Sequence, residues 1–335
     1  MRRFLAISAR VLALGFIAVL AVLLRVFRLE RLSFWYDEVV TMTVARAESF
    51  REVIATLDRI DATRAPLHPL LLHVWVRVFG DSEFSGRGFS AVCGIITVAM
   101  VYRIARRLYD SQATAFFAAW LAAISPMLVV YSREARMYAW LVLLTCAAWD
   151  ALFLLRSEDQ STRGRWARLL WYGLCLVALG YSHPLGLFMA IALAMAGAID
   201  ASSYGFKVGE WLIVHLGAAT IVALWLRRYV DHPPELIMGM LPIRYLLGTP
   251  IGWTGGNFRT LAGCVLLLCV GLFSLRRRVV NGRKRRLALI LEHPVAGRSL
   301  LVWLVVPVAL LWVYSRAATR FSDRRGTPCF VPHPT

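Results

Sequence analysis

The segment VLALGFIAVLAVLL, residues 11–24, contains no charged or hydrogen-bonding side chain. A helix needs about 20 mostly apolar residues to cross a bilayer, so this segment and its flanking residues predict a membrane span. The basic start at residues 1–3 is typical of a signal peptide, but Arg25 and Arg28 follow the apolar run in place of a small-residue cleavage site. The sequence therefore favours a first span that is retained.

The rest of the chain repeats this pattern. Hydrophobic residues make up 59% of the 335 residues and charged residues only 17%, which is too little charge to coat a water-soluble surface. We predict an all-α polytopic membrane protein, with a transmembrane domain of about nine spans at residues 1–320 and a polar tail at 321–335. The further spans are expected near residues 88–104, 113–131, 138–155, 169–182, 185–200, 208–226, 260–275 and 299–317.

The net charge of +18 raises the question of nucleic-acid binding. The basic residues, however, stand in short clusters between apolar runs, notably at 103–107, 156–168 and 276–286. Such clusters are typical of cytoplasmic loops. The pattern excludes nucleic acid as a partner and predicts a multi-pass protein of the plasma or inner membrane with a cytoplasmic N-terminus.

This orientation places a long first loop, residues 29–87, on the extracytoplasmic side. Apolar residues recur every three or four positions from Val40 to Leu57, and Ser49 with Glu52 has capping-box spacing, so two short amphipathic helices are predicted there. The apolar segment at 66–79 would cover only about 21 Å as a helix. We interpret it as an interfacial helix, with His68, His73 and Arg77 on its polar side.

Three clusters on the predicted outer side could carry chemistry. The first is FWYDE at residues 34–38, where adjacent carboxylates beside aromatic rings suit a general base. The alternative for Asp37 is a helix N-cap. The second is YSREARMY at 131–138, whose two arginines oppose the inside bias of positive charge and suit a phosphate. A purely anchoring role among lipid headgroups is its alternative.

The third cluster is YSHP at residues 181–184, in which a lone histidine in a tight turn has a structural role as its alternative. A loop near residues 227–259 is a candidate cover or acceptor loop. The six cysteines form no CxxC pair, so no metal framework is predicted.

In these clusters the chain resembles the membrane-embedded GT-C glycosyltransferases that use polyprenyl-phosphate sugars. The branch concerned is that of the protein O-mannosyltransferases and the lipid A aminoarabinose transferase, the family-39-like glycosyltransferases. The resemblance rests on FWYDE at 34–38, Asp61 with PLHP at 66–69, FGDSEF at 79–84 with Arg87, YSREARMY at 131–138 and YSH at 181–183.

The resemblance implies a GT-C-like helix bundle with in-plane juxtamembrane helices in the first outer loop. It implies that Asp37 is the catalytic base, with Glu38 beside it. It places the lipid-phosphate end of the site at Arg136, Glu134 and His183. Together with the clusters above, it makes the expected substrate-binding residues Asp61, His68, Arg133, Glu134, Arg136, Tyr138 and His183.

The expected reaction is transfer of a hexosyl or pentosyl group, of mannosyltransferase type, to a hydroxyl of a lipid, glycan or protein. Phosphate is a good leaving group, so the chemistry needs a base and fixed positive charge but no general acid. No cofactor is required, and participation of a divalent metal is left open.

A transporter or lipid flippase without covalent chemistry is the alternative function. Transporters carry ionisable residues near the bilayer midplane, often in repeated halves. Here most charges stand at loop ends, with Asp150 the main exception, and no internal repeat is present. The resemblance ends before the C-terminus, where related enzymes continue through further spans, so a truncated chain is expected.

Overall fold

A computed structural model gives the architecture. It describes residues 2–61, 65–156, 161–204, 207–231, 259, 262, 273–280, 284–291 and 294–324. The chain divides into two units, Met1–Glu235 and Leu236–Thr335. Most of the candidate loop at 227–259 lies outside the described residues.

The first unit is helical throughout its described part. In chain order its helices are α1 (Arg2–Val26), α2 (Tyr36–Ala45), α3 (Phe50–Asp61), α4 (Leu67–Phe79), α5 (Glu83–Tyr109), α6 (Gln112–Ile124), α7 (Pro126–Tyr131), α8 (Tyr138–Leu154), α9 (Thr162–Gly180), α10 (Pro184–Ile199), α11 (Ala201–Tyr204) and α12 (Val208–Asp231).

The second unit contains a hairpin and a helix. Strands β1 (Phe273–Val280) and β2 (Lys284–Leu291) pair antiparallel, with Phe273 opposite Leu291, and α13 (Pro294–Arg324) follows. The hairpin departs locally from the predicted all-α class. Residues 276–280 and 284–286, which were predicted to form a basic loop, belong to its two strands. The span predicted at 260–275 ends at residues that belong to β1, and most of that span lies outside the described residues.

Three described helices are long and apolar enough to cross a membrane: α5, α12 as far as Arg227, and α13 as far as Tyr314. Shorter apolar helices are α4, α6, α8 and α10. The all-α prediction is confirmed for the helical bundle, whereas the count of nine spans stays a prediction.

Helix α5 is the centre of the first unit and packs along α1, α4, α6 and α8. Its first half is rich in small residues, which lets neighbouring side chains come close. A Cβ atom added at Gly94 would lie 2.0 Å from Ser132 Oγ and 2.8 Å from Arg25 Nε, so only glycine fits there.

The run predicted as one span at 113–131 is two helices. Pro126 has no N–H to donate to the Ala122 carbonyl, so α6 ends at Ile124 and α7 begins at Pro126. Arg25, fully buried in α1, donates from Nη2 to Ala122 O at 3.2 Å and from Nη1 to Ala123 O at 3.0 Å. An arginine of the first helix thus caps the carboxyl end of α6.

The first loop forms the two helices predicted from its periodicity, α2 and α3. Ser49 Oγ accepts the Glu52 N–H at 3.3 Å, and the Glu52 carboxylate accepts the Glu48 N–H at 2.7 Å. Together these bonds stabilise the start of α3. In the predicted capping box Glu52 would accept the N–H of Ser49, whereas here it accepts the N–H of the preceding residue, Glu48.

The prediction that His68 and His73 lie on a polar side of α4 is wrong, because they are 3% and 4% exposed. Val74 and Val78, which were predicted to face lipid or protein, are exposed. His73 Nδ1 lies 2.9 Å from Ala45 O, so the histidine side faces the protein because α2 supplies a hydrogen-bond partner there.

Asp150, the acidic residue noted above in the fourth predicted span, joins α8 to the last turns of α5. Asp150 is 2% exposed, and its two carboxylate oxygens accept from Arg103 Nη2 and Arg107 Nε at 2.7 Å each. Its charge is therefore compensated within the bundle.

Candidate active site

Glu38 stands in the first turn of α2 and is completely buried. Its Oε1 accepts from Arg87 Nε at 2.9 Å and from the Ala135 N–H at 2.7 Å. Its Oε2 accepts from Arg87 Nη2 at 2.7 Å and from the Trp35 N–H at 3.3 Å. Both oxygens are fully engaged, so the carboxylate serves to join α2, α5 and the 131–138 hinge.

Arg87 completes this pair, which we call the Glu38–Arg87 clamp. It projects from α5 and also donates to the carbonyls of Leu29, Leu32 and Ser33 at 2.6 to 3.1 Å. These bonds shape the chain that leads into α2. In the sequence Arg87 stands only within a motif. Its signal is an arginine among small residues, ahead of the apolar middle of α5.

Asp37, the neighbour of Glu38, has a different environment. Its side chain is 33% exposed, and Oδ2 lies 3.3 Å from Arg136 Nη2. Trp35 is the N-cap residue of α2, and Glu38 accepts the cap N–H. The alternative reading of Asp37 as the helix cap is therefore wrong, and its carboxylate is left for other partners.

Arg136 is the cation that faces Asp37. Its side chain is 9% exposed, and Nη1 donates to the Asp37 carbonyl at 3.2 Å and reaches Thr41 Oγ1 at 3.5 Å. Its guanidinium lies 5.8 Å from the centre of the Tyr138 ring. Arg136 Nε is buried and has no hydrogen-bond partner among the described residues, so the guanidinium retains a donor.

Two histidines lie near this guanidinium. His68 packs edge-on against Phe89, and its buried Nε2 has no hydrogen-bond partner in the described part of the chain. Burial and the positive charge of Arg136 lower the pKa of His68 to about 3. His68 is thus close enough to Arg136 to feel its charge, and its role as a substrate contact stays a prediction.

His183 is the N-cap of α10, and its Nδ1 accepts the Leu185 N–H at 3.0 Å. Its ring centre lies 6.3 Å from that of Tyr138. Burial and Arg136 lower the pKa of His183 to about 4, so the ring is neutral near pH 7. Because Nδ1 is an acceptor, the proton stands on Nε2 and is available to an oxygen ligand.

Arg133 and Glu134 belong to the same 131–138 segment as Arg136. The Arg133 guanidinium donates to the carbonyls of Leu24, Arg25, Phe27 and Arg28, at the end of α1. Glu134 is half-buried, and burial and the charge of Glu38 raise its pKa. Neither is placed with Arg136 by a hydrogen bond. Asp61 is the last residue of α3, and its side chain lies outside the described part of the structure.

The arrangement offers a partly exposed carboxylate beside a guanidinium with a free donor. Carboxylate oxygens accept protons from hydroxyl groups, and guanidinium binds phosphate. The site is thus suited to a reaction in which a hydroxyl loses a proton and a phosphate gains charge.

Comparison with known proteins shows which families the chain resembles. Residues 63–227 match the family described as dolichyl-phosphate-mannose-protein mannosyltransferase. This match covers His68, Arg136 and His183 but begins after Asp37 and Glu38. The polyprenol-phosphate-mannose–protein mannosyltransferase of Mycolicibacterium smegmatis is 26% identical over 266 residues, which cover 76% of this chain and 46% of that protein. The chain thus spans about half the length of the curated relatives it matches.

Two solved structures share the fold. ArnT from Cupriavidus metallidurans in the apo state superposes with a TM-score of 0.53 at 18% identity, covering 96% of this chain and 64% of that one. The Saccharomyces cerevisiae protein O-mannosyltransferase Pmt1–Pmt2 complex bound to the sugar donor gives 0.50 at 19%, covering 67% and 34%. The predicted resemblance is therefore confirmed: in sequence and in fold the chain is similar to the GT-C membrane glycosyltransferases of the protein O-mannosyltransferase and aminoarabinose-transferase branch.

Proposed function

We propose that the chain transfers a sugar from a polyprenyl-phosphate donor to a hydroxyl acceptor, with Asp37 as the general base. The observation that carries this proposal is the unequal use of two adjacent carboxylates. Glu38 is buried and saturated with hydrogen bonds, whereas Asp37 is partly exposed and has one long contact to Arg136. Glu38 is then a positioning residue that holds Asp37 at its place on α2.

The reaction requires one bond to form and one to break at the anomeric carbon. The acceptor oxygen bonds to this carbon, its proton passes to Asp37, and the bond between the carbon and the phosphate oxygen breaks with inversion. The departing lipid phosphate takes the electron pair and is held by Arg136. His68 Nε2 and His183 Nε2, which lie near Arg136, could donate hydrogen bonds to the phosphate oxygens.

The Asp37–Arg136 contact of 3.3 Å suggests an order of events. A donor phosphate that binds Arg136 competes with the Asp37 carboxylate for the same Nη2 donor. Binding of the donor would then release Asp37 to accept the proton of the acceptor hydroxyl, so the base becomes available only when the donor is present.

The membrane setting is part of the proposal. The apolar helices suit a membrane protein, and the basic loops favour a cytoplasmic N-terminus with the site on the extracytoplasmic side of the plasma or inner membrane. The acceptor is a hydroxyl of a protein, glycan or lipid. Asp61, Arg133 and Glu134 remain predicted substrate contacts, although the hydrogen bonds of Arg133 serve the end of α1.

The test compares wild-type protein with Asp37→Asn in membranes supplied with radiolabelled polyprenyl-phosphate sugars. Asparagine keeps the shape of the side chain but cannot take the proton, so turnover should fall by about 10² to 10⁴ while donor binding persists. Wild-type turnover in the variant would overturn the role of Asp37. Label that crosses the membrane while still attached to its lipid would support the flippase alternative.

A further inference from the structure

A cavity of about 450 Å³ lies at the end of α1, beside the proposed catalytic groups but separate from them. The Glu38–Arg87 clamp forms part of its wall, whereas Asp37 and Arg136 do not line it. The wall also includes the side chains of Phe27, Arg28, Arg31, Leu32, Trp35 and Glu134. A ligand of this cavity would therefore be distinct from the reacting groups of the proposed transfer, and the inference does not rest on that function.

The arginines of this cavity fall into two classes. Arg87 is neutralised by Glu38, and Arg133 is engaged by the carbonyls at the end of α1. Arg28 and Arg31 are exposed and form no ion pair with a carboxylate in the part of the chain that the structure describes. Two positive charges are therefore available to a ligand.

Arg28 also has a left-handed backbone, with φ at 54° directly after α1. Glycine or asparagine is the usual residue there, so an arginine at this position costs conformational energy. Strained positions of this kind cluster at ligand sites, and the side chain here stands at the rim of the cavity.

Glu134 gives the cavity one negative charge. It is half-buried and makes no hydrogen bond or ion pair with any residue that the structure describes, since the two nearby arginines are held by Asp37 and Glu38. An anion alone would meet repulsion from this carboxylate. The ligand that complements the cavity carries both a phosphate and a positive group.

The apolar part of the wall continues onto the surface of α1. Phe27, Leu32 and Trp35 are 65%, 72% and 48% exposed, and the adjoining face of α1 exposes Phe16 and Leu23. Aromatic and arginine side chains at the end of a span are typical of headgroup depth. A hydrocarbon chain attached to the ligand would lie along this face.

We propose that the cavity binds the phosphoethanolamine headgroup of a phospholipid, with its phosphate on Arg28 and Arg31 and its ammonium group on Glu134. The ammonium group donates hydrogen bonds to a carboxylate, which the trimethylated amine of phosphatidylcholine cannot do. Phosphatidylglycerol has the phosphate but no cation for Glu134. The cavity therefore distinguishes phosphatidylethanolamine from both.

The experiment reconstitutes the full chain in nanodiscs with equal amounts of the three phospholipids, extracts it into mild detergent and counts retained lipids by native mass spectrometry. Wild-type protein should retain phosphatidylethanolamine in preference to the other two. Arg28→Gln with Arg31→Gln should reduce this retention at least ~10-fold, because charge-assisted hydrogen bonds to the phosphate are lost. Glu134→Gln should abolish the preference over phosphatidylglycerol.

Exposed residues outside the cavity provide matched controls. Arg51→Gln and Glu48→Gln remove the same charges and should leave retention unchanged. Equal retention of the three lipids, stronger retention of phosphatidylglycerol, or an unaltered pattern in the double arginine variant would each overturn the proposal. Monodisperse elution of every variant in gel filtration shows that lost retention is not lost folding.

Discussion

Glu38 and Arg87 form an ion pair that is almost completely removed from solvent, with side chains 1% and 7% exposed and Oε2 to Nη2 at 2.7 Å. They stand on different helices, and the backbone N–H of Ala135 joins them from a third segment. The three segments that carry Asp37, Arg87 and Arg136 thus share one carboxylate.

The first prediction concerns the stability of this clamp. Glu38→Gln keeps the shape of the side chain but leaves the Arg87 charge buried without a counter-ion, so it should destabilise the protein by about 3 to 5 kcal/mol. Thermal unfolding of the detergent-solubilised protein measures the loss.

The exposed pair of Arg46 and Asp81 is the control, with side chains 47% and 61% exposed. Arg46→Gln should cost about 1 kcal/mol or less, because solvent screens such pairs. Equal costs at the two sites would contradict the structural role of Glu38.

The second prediction separates charge from shape at Arg136. Arg136→Ala should raise the KM for the lipid donor by about 10- to 100-fold, because charge-assisted hydrogen bonds to phosphate are lost. Arg136→Lys should have a smaller effect, since it keeps the charge but loses the planar fork. Initial rates at varied donor concentration give both values, with exposed Arg51→Ala as the control. An unchanged donor KM in Arg136→Ala would exclude phosphate binding there.

The third prediction is a dependence of stability on pH. The folded protein holds the pKa of His183 at about 4, below its ordinary value of 6.5, so the unfolded chain binds more protons between these values. This contribution to stability is complete above pH 6.5 and is lost as the pH falls towards 4.

Asparagine at position 183 can still cap α10 but does not titrate. The unfolding temperature of His183→Asn should therefore fall less steeply than that of wild type between pH 6.5 and 5, where most carboxylates stay ionised. The same slope in both proteins would show that His183 is not held neutral.

The fourth prediction tests the orientation, which follows from the positions of the basic residues. In a background without native cysteines, a membrane-impermeant thiol reagent should label Asp61→Cys from outside the cell. It should label Gly282→Cys only after the membrane is opened. Labelling of both from the same side would contradict the topology.

The sequence predicted the helices well where a local period was present. The amphipathic pattern of the first loop indicated α2 and α3, and the apolar run at 66–79 indicated α4. The break at Pro126 was missed because apolar runs flank the Ser125–Pro126 pair on both sides. The inward side of α4 was missed because the partner of His73 is the Ala45 carbonyl, 28 residues earlier.

The sequence indicated where the candidate site lies, but it did not indicate which of the two adjacent carboxylates is buried and which is exposed. Adjacent carboxylates are equivalent in a sequence, and only distant partners make them different. Arg87 and Ala135, 49 and 97 residues after Glu38, saturate one carboxylate and leave the other exposed. Similarly, Arg133 and Arg136 share a hinge, but the nearby carbonyls at the end of α1 engage only Arg133.

The burial of Arg25 has a consequence for biosynthesis. Two of its partners, the carbonyls of Ala122 and Ala123, lie 97 and 98 residues later in the chain. When the first helix leaves the ribosome, Arg25 therefore has only the Ala21 carbonyl of the same helix as a partner, and burying a charge with so few partners is costly. We expect α1 to enter the bilayer completely only after α6 has been synthesised. The first helix to be synthesised would then be among the last to be inserted.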